Sequence, residues 1–253
     1  MSISRNELNA FLANLLTPEK IKDYCPNGLQ VEGAEQIERI VTGVTASQAL
    51  IDASIEAGAD ALLVHHGYFW KGENPVVTGM KKRRLQALLQ NDINLFAYHL
   101  PLDVHPTLGN NAQLAQRFDI KNARGLELGN PFSVAMQGEF EQKKSIDDII
   151  SKINSSLGVS ALVEKSGPEK IKTVAWCSGG GQGYIEQAAE QNIDLFITGE
   201  VSEQTIHTAR ECGIHFIAAG HHATERYGAK ALGEYIAQHL PVDVTFIDIP
   251  NPA

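Results

Sequence analysis

The sequence predicts an α/β protein built from two similar α/β domains, with its chemistry at the carboxyl ends of the strands. Three observations carry this. Ile40–Thr45 is a β-rich run, Ala46–Ala57 has helical periodicity with Leu50, Ile51, Ser54 and Ile55 on one face, and Ala59–Val64 is a second buried strand. Strand, helix and strand in succession imply a parallel pair with a crossover helix. The same succession returns about 130 residues later, where Val44, Gln48, Ile51, Ala57 and Asp60 fall opposite Ser178, Gln182, Ile185, Gln191 and Asp194. Finally, four apolar runs each stop in a polar or acidic cluster: Ala61 to Gly67, Phe96 to His105, Phe196 to Glu203 and Phe216 to Glu225.

From the N-terminus, Ile3, Leu8, Phe11, Leu12, Leu15 and Leu16 predict a helix over residues 3–16, capped by Ser4 or Asn6. Pro26-Asn27-Gly28 is a turn signal, and Leu29 to Glu32 alternates like a short strand. After the first strand–helix–strand unit come a helix over 80–91, basic at its start, and a strand from Ile93 to His99. The exit Leu100 to Pro106 carries two prolines and is excluded from helix interior. Asn110 to Phe118 restarts a helix. Residues 121–170 are denser in Gly and polar residues; Phe132 to Phe140 predicts a strand pair and Ser145 to Leu157 an amphipathic helix. After the repeat, which ends on a strand from Ile214 to Gly220, His222 to Leu240 is a long helix and Val242 to Asp248 a last strand. The expected division is 1–125 with 215–253 as the first domain, carrying the metal ligands, and 126–214 as a second, inserted domain.

With 253 residues, 43% of them hydrophobic and 20% charged, the composition is that of a globular protein able to bury a substantial core. A formal charge of -9 argues against polyanion binding over the general surface, since phosphate recognition needs a basic patch. Lys81-Lys82-Arg83-Arg84 is the one compact basic run, and a solvated helix face accounts for it. Three cysteines without a C-x-x-C pair argue against a disulfide framework. No signal-peptide core and no apolar run of roughly 18 residues is present. The expected location is the cytoplasm.

Five histidines stand at strand exits: His65, His66, His99, His221 and His222. In open α/β sheets, sites form beyond the carboxyl ends of the strands, and zinc, manganese and iron take imidazole and carboxylate together. Adjacent strand residues such as His65 and His66 point in different directions, so they suit two metals, or one metal and a proton transfer. A strand-capping histidine explains either one alone equally well. His221 and Glu225 are four apart in the first turn of a helix and therefore share a face. Asp103 leaves a strand in a Pro-Leu-Asp loop. Either carboxylate suits bridging of two metals roughly 3.5–4 Å apart. Ser178-Gly-Gly-Gly-Gln-Gly183 permits two readings, a phosphate cradle before a helix and tight strand–helix packing, and it lacks the Lys-Ser/Thr of a P-loop. Thr198-Gly-Glu200-Val-Ser-Glu203 falls opposite the histidine pair in the repeat. Cys25 and Cys177 have no evident histidine partner in the sequence.

The ordered motifs Pro26-Asn-Gly-Leu-Gln-Val31, Val41-Thr-Gly-Val-Thr45, His65-His-Gly67, His99-Leu-Pro-Leu-Asp103, Asn110-Asn-Ala-Gln-Leu114, Thr198-Gly-Glu200 and Gly220-His-His-Ala-Thr-Glu225 resemble the GTP cyclohydrolase I type 2 family, also described as YbgI-like or Nif3-like proteins. The resemblance covers essentially the whole chain. It implies a dinuclear metal site on His65, His66, Asp103, His221 and Glu225, two divalent ions per chain, two similar α/β domains, and a toroidal homohexamer. It also implies GTP cyclohydrolase-type hydrolysis of a purine-nucleotide C–N bond. His99 and Glu200, at strand exits, are the candidate proton carriers. The alternative is a non-catalytic metal-binding or metal-delivery protein. No membrane or nucleic-acid partner is expected.

Overall fold

The computed structural model describes residues 1–253, which divide into two compact units: 1–109 with 228–249, and 110–227 with 250–253. In chain order the elements are β1 (Ile3–Ser4), α1 (Arg5–Leu16), β2 (Gly28–Val31), β3 (Gln36–Ile37), β4 (Arg39–Thr45), α2 (Gln48–Glu56), β5 (Ala61–His66), α3 (Gly79–Gln90), β6 (Asn94–Ala97), α4 (Leu100–Val104), α5 (Asn110–Arg117), β7 (Ile120–Gly125), β8 (Met136–Lys144), α6 (Ile146–Leu157), β9 (Leu162–Glu164), β10 (Ile171–Trp176), α7 (Ile185–Glu190), β11 (Leu195–Thr198), α8 (Glu203–Cys212), β12 (His215–Ala218), α9 (His221–His239) and β13 (Asp243–Phe246).

In the first unit, one sheet runs in the order β13-β4-β5-β6-β2, with β1 paired separately to β3. β13, β4, β5 and β6 are parallel and β2 is antiparallel. The strands are apolar on both faces, as a parallel sheet covered on two sides requires. Ile40, Ala61, Leu63 and Phe96 pack with Leu8, Leu12 and Leu16 of α1 and Leu232 and Ile236 of α9. Val41, Leu62, Val64 and Leu95 face the other way, onto Leu50 and Ile51 of α2 and Leu88 of α3. Each such side chain contributes roughly 1.5–3 kcal/mol by burial. Ser4 caps α1 in a capping box with Glu7.

The second unit holds a six-stranded sheet, β7-β8-β10-β11-β12-β9. β10, β11 and β12 are parallel, and β8 and β9 flank them antiparallel. Val174, Trp176, Leu195 and Ile197 pack on α5 and α6, while Ala175, Phe196 and Phe216 pack on α7 and α8. The boundaries differ from the sequence-based division at 125/126 and 214/215. Leu114 and Phe118 before β7, and Ala223 in α9, belong to the same apolar cluster as Trp176, which draws α5 and the start of α9 into the second unit.

Both sheets contain three consecutive parallel strands closed on one side by an antiparallel strand that precedes them in sequence; the other side differs, with β13 parallel to β4 in the first and β8 antiparallel to β10 in the second. They share a further device. Asp60 Oδ2 accepts from the N–H groups of Glu38 and Arg39 at 2.8 and 2.9 Å. Asp194, its partner in the repeat, accepts from Lys172 and Thr173 at 2.8 and 2.9 Å. Each carboxylate ties the entry of one parallel strand to the start of the next. At these partly buried carboxylates each bond contributes about 1 kcal/mol net. Asp194→Ala and Asp60→Ala are therefore each expected to cost about 2 kcal/mol and to lower the thermal midpoint by several degrees in differential scanning calorimetry; unchanged midpoints would refute this role.

Two local expectations are corrected. Leu100–Val104 is a short helix despite Pro101, because that proline sits in the first turn, where its missing N–H has no intrahelical partner to lose. The strand before Phe140 begins at Met136, and it pairs with Ile120–Gly125, whose residues are mostly exposed and carry no alternation.

Candidate metal centre

The candidate donors fall into two sets, one in each unit. In the first unit, β5 ends on His65 and His66, and the chain leaving β6 supplies His99 and then Asp103 within α4. The pleat of a strand sends neighbours to opposite faces, yet the His65 and His66 ring centroids are 4.5 Å apart. The strand ends at His66, and the alternation expected from the sequence is lost there. One nitrogen each of His65, His66 and His99 lies within 4.8 Å of the others.

His65 is fully buried, and its Nδ1 lies 3.1 Å from the carbonyl oxygen of Tyr98. A carbonyl only accepts, so Nδ1 carries the proton and Nε2 the lone pair. Nε2 stands 3.6 Å from Asp103 Oδ2, too far for a hydrogen bond. Two ligands at 2.0–2.2 Å from a tetrahedral ion stand about 3.4 Å apart, so this spacing suits a shared cation. His66 Nδ1 lies 3.1 Å from Thr45 Oγ1, a contact set by the parallel register of β4 and β5. His99 Nδ1 is held at 2.8 Å by Asp23 Oδ1. His105 stands apart from this set: its Nδ1 accepts the N–H groups of Thr107 and Leu108, and burial lowers its pKa, so it is a neutral turn former.

In the second unit, His221 opens α9 and Glu225 follows one turn later. His221 Nε2 is 3.1 Å from Glu225 Oε2, and its Nδ1 is 2.7 Å from Glu200 Oε1 beyond β11. The hydrogen bond to Glu225 raises the imidazole to about 9 against the opposing effect of burial, and Glu200 adds to the rise. Glu225 is buried although it is a carboxylate, a placement that calls for cationic partners. Glu203, the other acid of that stretch, lies on the exposed start of α8 beside His207. The N–H of His222 donates to the Ala253 carbonyl.

Glycines shape this second set. Gly179 has φ +59°, and a Cβ there would meet Glu225 Oε1 at 2.0 Å and His221 Nε2 at 3.0 Å. The loop is knitted to its surroundings: Ser178 N–H donates to Asn111 Oδ1, Gly179 N–H to Thr224 Oγ1, and Gly181 N–H to Thr198 Oγ1. Three of the loop's N–H groups are thus bonded within the protein, and the bare Gly179 makes room for Glu225, as the tight-packing reading requires.

The donor chemistry fits divalent transition metals. His65 has Nδ1 on a carbonyl oxygen that fixes its tautomer, His221 has Nδ1 on the Glu200 carboxylate, and His66 has a hydroxyl at the same position; such supporting contacts are usual behind metal-bound imidazoles. Cys25 groups with Asp23 and His99, and its thiol is pushed up to about 12 by burial and by the charge of Asp23. Sequence reasoning had not singled out Asp23, Thr45 as a partner of His66, or the Tyr98 carbonyl.

An α/β sheet whose parallel strands end in clustered imidazoles and carboxylates defines the class of this protein as an α/β protein with potential His/Asp/Glu metal-binding groups. The chain belongs to the Duf34/NIF3 (NGG1p interacting factor 3) family, whose model matches residues 3–252. It is 58% identical over 248 residues to a Vibrio cholerae protein, covering 97% of this chain and 98% of that one, and 54% identical over 253 residues to a Pseudomonas aeruginosa protein, covering 100% of both. Both relatives are named GTP cyclohydrolase 1 type 2 homolog. The solved structure of the protein ybgI, described as of unknown function, superposes with a TM-score of 0.95 at 54% identity, covering 99% of this chain and 100% of that one. No helix is long and apolar enough to cross a membrane.

Gly179→Ala is expected to displace the Glu225 carboxylate and weaken divalent-metal binding 10- to 100-fold, read by chelator competition. Gly180→Ala, where a Cβ would meet nothing nearer than 3.5 Å, is the control. Equal affinities in the two variants would refute the cradle.

Proposed function

We propose that the chain is a metal-dependent hydrolase in which His65, His66, Asp103, His221 and Glu225 hold two divalent ions, and that it opens a C–N bond of a purine nucleotide. The observation that carries the reading is the support behind the imidazoles: the Tyr98 carbonyl behind His65, Thr45 behind His66 and Glu200 behind His221. Zinc, iron and manganese all suit this donor set. Such ions, when bound, supply Lewis acidity and make water nucleophilic near neutral pH.

The residues of the chain do the rest. His99 takes the proton of the attacking water and returns it to the departing nitrogen, so that one water is consumed, a C–O bond forms and a C–N bond breaks. Glu200 holds His221 through Nδ1 and is the second candidate for proton transfer. The GTP cyclohydrolase-type substrate follows the name of the relatives. A second reading, a protein that stores or delivers metal, is favoured by the exposure of the second set, where the His221 and Glu200 side chains are 30% and 45% accessible.

Elemental analysis and GTP turnover on the same samples separate the readings. Two metals per chain with turnover, both lost in His65→Ala and Glu225→Ala, support the hydrolase. Two exchangeable metals without turnover assign the chain to metal holding or delivery. No metal after reconstitution overturns both. His99→Ala is expected to lower kcat 100- to 10,000-fold with metal content intact. The assembly proposed from the family resemblance is a ring of six chains. Mass photometry is expected to give a hexamer, and a monomer or dimer would refute it.

A further inference from the structure

Asp23 lies in the loop between α1 and β2, and its side chain is only 3% exposed. Its carboxylate is surrounded by donors. Oδ1 accepts from His99 Nδ1 at 2.8 Å and from the Tyr24 N–H at 2.6 Å; Oδ2 accepts from Asn27 Nδ2 and from the Leu100 N–H, each at 2.9 Å. Asn27 closes the arrangement by accepting the His99 backbone N–H at 2.7 Å. Burial alone would raise the Asp23 carboxyl, yet the bonds from His99 and Asn27 hold it down to about 2. The ring is fixed on another side by Trp70, whose indole meets it edge-on at a centroid distance of 4.9 Å.

We propose that Asp23 is the positioning residue for His99, holding its imidazole as the Nδ1–H tautomer and so making Nε2 the nitrogen that accepts a proton. This rests on His99 as the proton carrier of the hydrolase. The chemistry is one of elimination. A neutral imidazole has one N–H and one lone pair, and an ionised carboxylate can only accept, so Nδ1 must donate. A loop anchor alone would be served by the bonds to Asn27 and Leu100. The bond to His99 adds an orientation that a passive tie has no need of.

Asp23→Asn separates the two roles. It keeps the shape and exchanges one acceptor oxygen for an NH2 group. The amide oxygen belongs beside Leu100 and Asn27, whose two N–H groups would otherwise oppose the new NH2, whereas on the His99 side the NH2 opposes a single fixed donor, the Tyr24 N–H. The NH2 then faces His99, whose Nδ1 has to accept, and the ring switches to Nε2–H. The experiment is 15N NMR of the zinc-loaded, full-length protein labelled on histidine, with His99 assigned through His99→Gln. The wild type is expected to show Nδ1–H. Asp23→Asn is expected to show Nε2–H, unchanged zinc content, and a kcat for GTP lowered 100- to 10,000-fold at a KM within twofold. A wild-type Nε2–H tautomer overturns the proposal without any variant, should Asp23→Asn fail to fold. A variant that keeps the wild-type tautomer, or that loses zinc, overturns it as well. Absence of GTP turnover in the wild type removes the hydrolase reading, and the tautomer switch then still decides whether Asp23 sets the ring.

Discussion

Parallel strand pairing is the constraint on which the rest of the structure depends. A parallel pair needs a crossover, and three such strands in sequence deliver their carboxyl ends to one edge of the sheet. In the first unit that edge collects His65, His66 and, past β6, His99 and Asp103. In the second it collects the glycine loop after β10, Glu200 after β11, and His221 with Glu225 after β12. Asp60 and Asp194 serve the opposite edge, where they join adjacent strands at their entries. Apolar sequence between the two edges gives the rigidity; the polar residues are confined to the ends because the strands are covered on both faces.

Rigidity matters because the buried acids are expensive. Asp103 and Glu225 are 4% and 3% exposed, and a carboxylate withdrawn from water is tolerated only beside cations or several donors. The second unit shows how backbone serves that end. Gly179 takes a left-handed conformation and leaves out the one atom, Cβ, that would collide with Glu225, while Thr198 and Thr224 absorb the polar groups of the turn. The fold thus spends glycines and threonines to place one charged group.

Much of this was legible in the sequence, for reasons that are physical. Buried parallel strands are continuous apolar runs, so their ends are visible as the residues where polarity begins, which is how His65, His66, His99 and Glu200 stand out. The i, i+4 spacing marks His221 and Glu225 once a helix is placed there. The repeat is marked by Asp60 and Asp194, which have the same task. What stayed hidden depends on register and on long separations. Thr45 meets His66 only because β4 and β5 pair as they do. The Tyr98 carbonyl has no signature, since every residue has one. Asp23 is 76 positions from the imidazole it holds, and its neighbours spell a turn. β7 is an edge strand without alternation, and Pro101 conceals α4 by standing at the one place in a helix where proline does no harm.

The four supported imidazoles divide into two kinds. His65 and His66 are backed by neutral groups, a carbonyl and a hydroxyl, which orient the ring without adding charge behind it. His99 and His221 are backed by carboxylates, Asp23 and Glu200. A carboxylate behind Nδ1 makes the far nitrogen more basic and stabilises the ring when it becomes a cation. His221 meets a second carboxylate, Glu225, on its other nitrogen and is raised to about 9. His99 has a carboxylate on one nitrogen alone. The two imidazoles therefore differ in how many carboxylates they meet. Asp23 comes from the loop before β2 and Glu200 from the loop after β11, and the second carboxylate at His221, Glu225, comes from the next turn of α9.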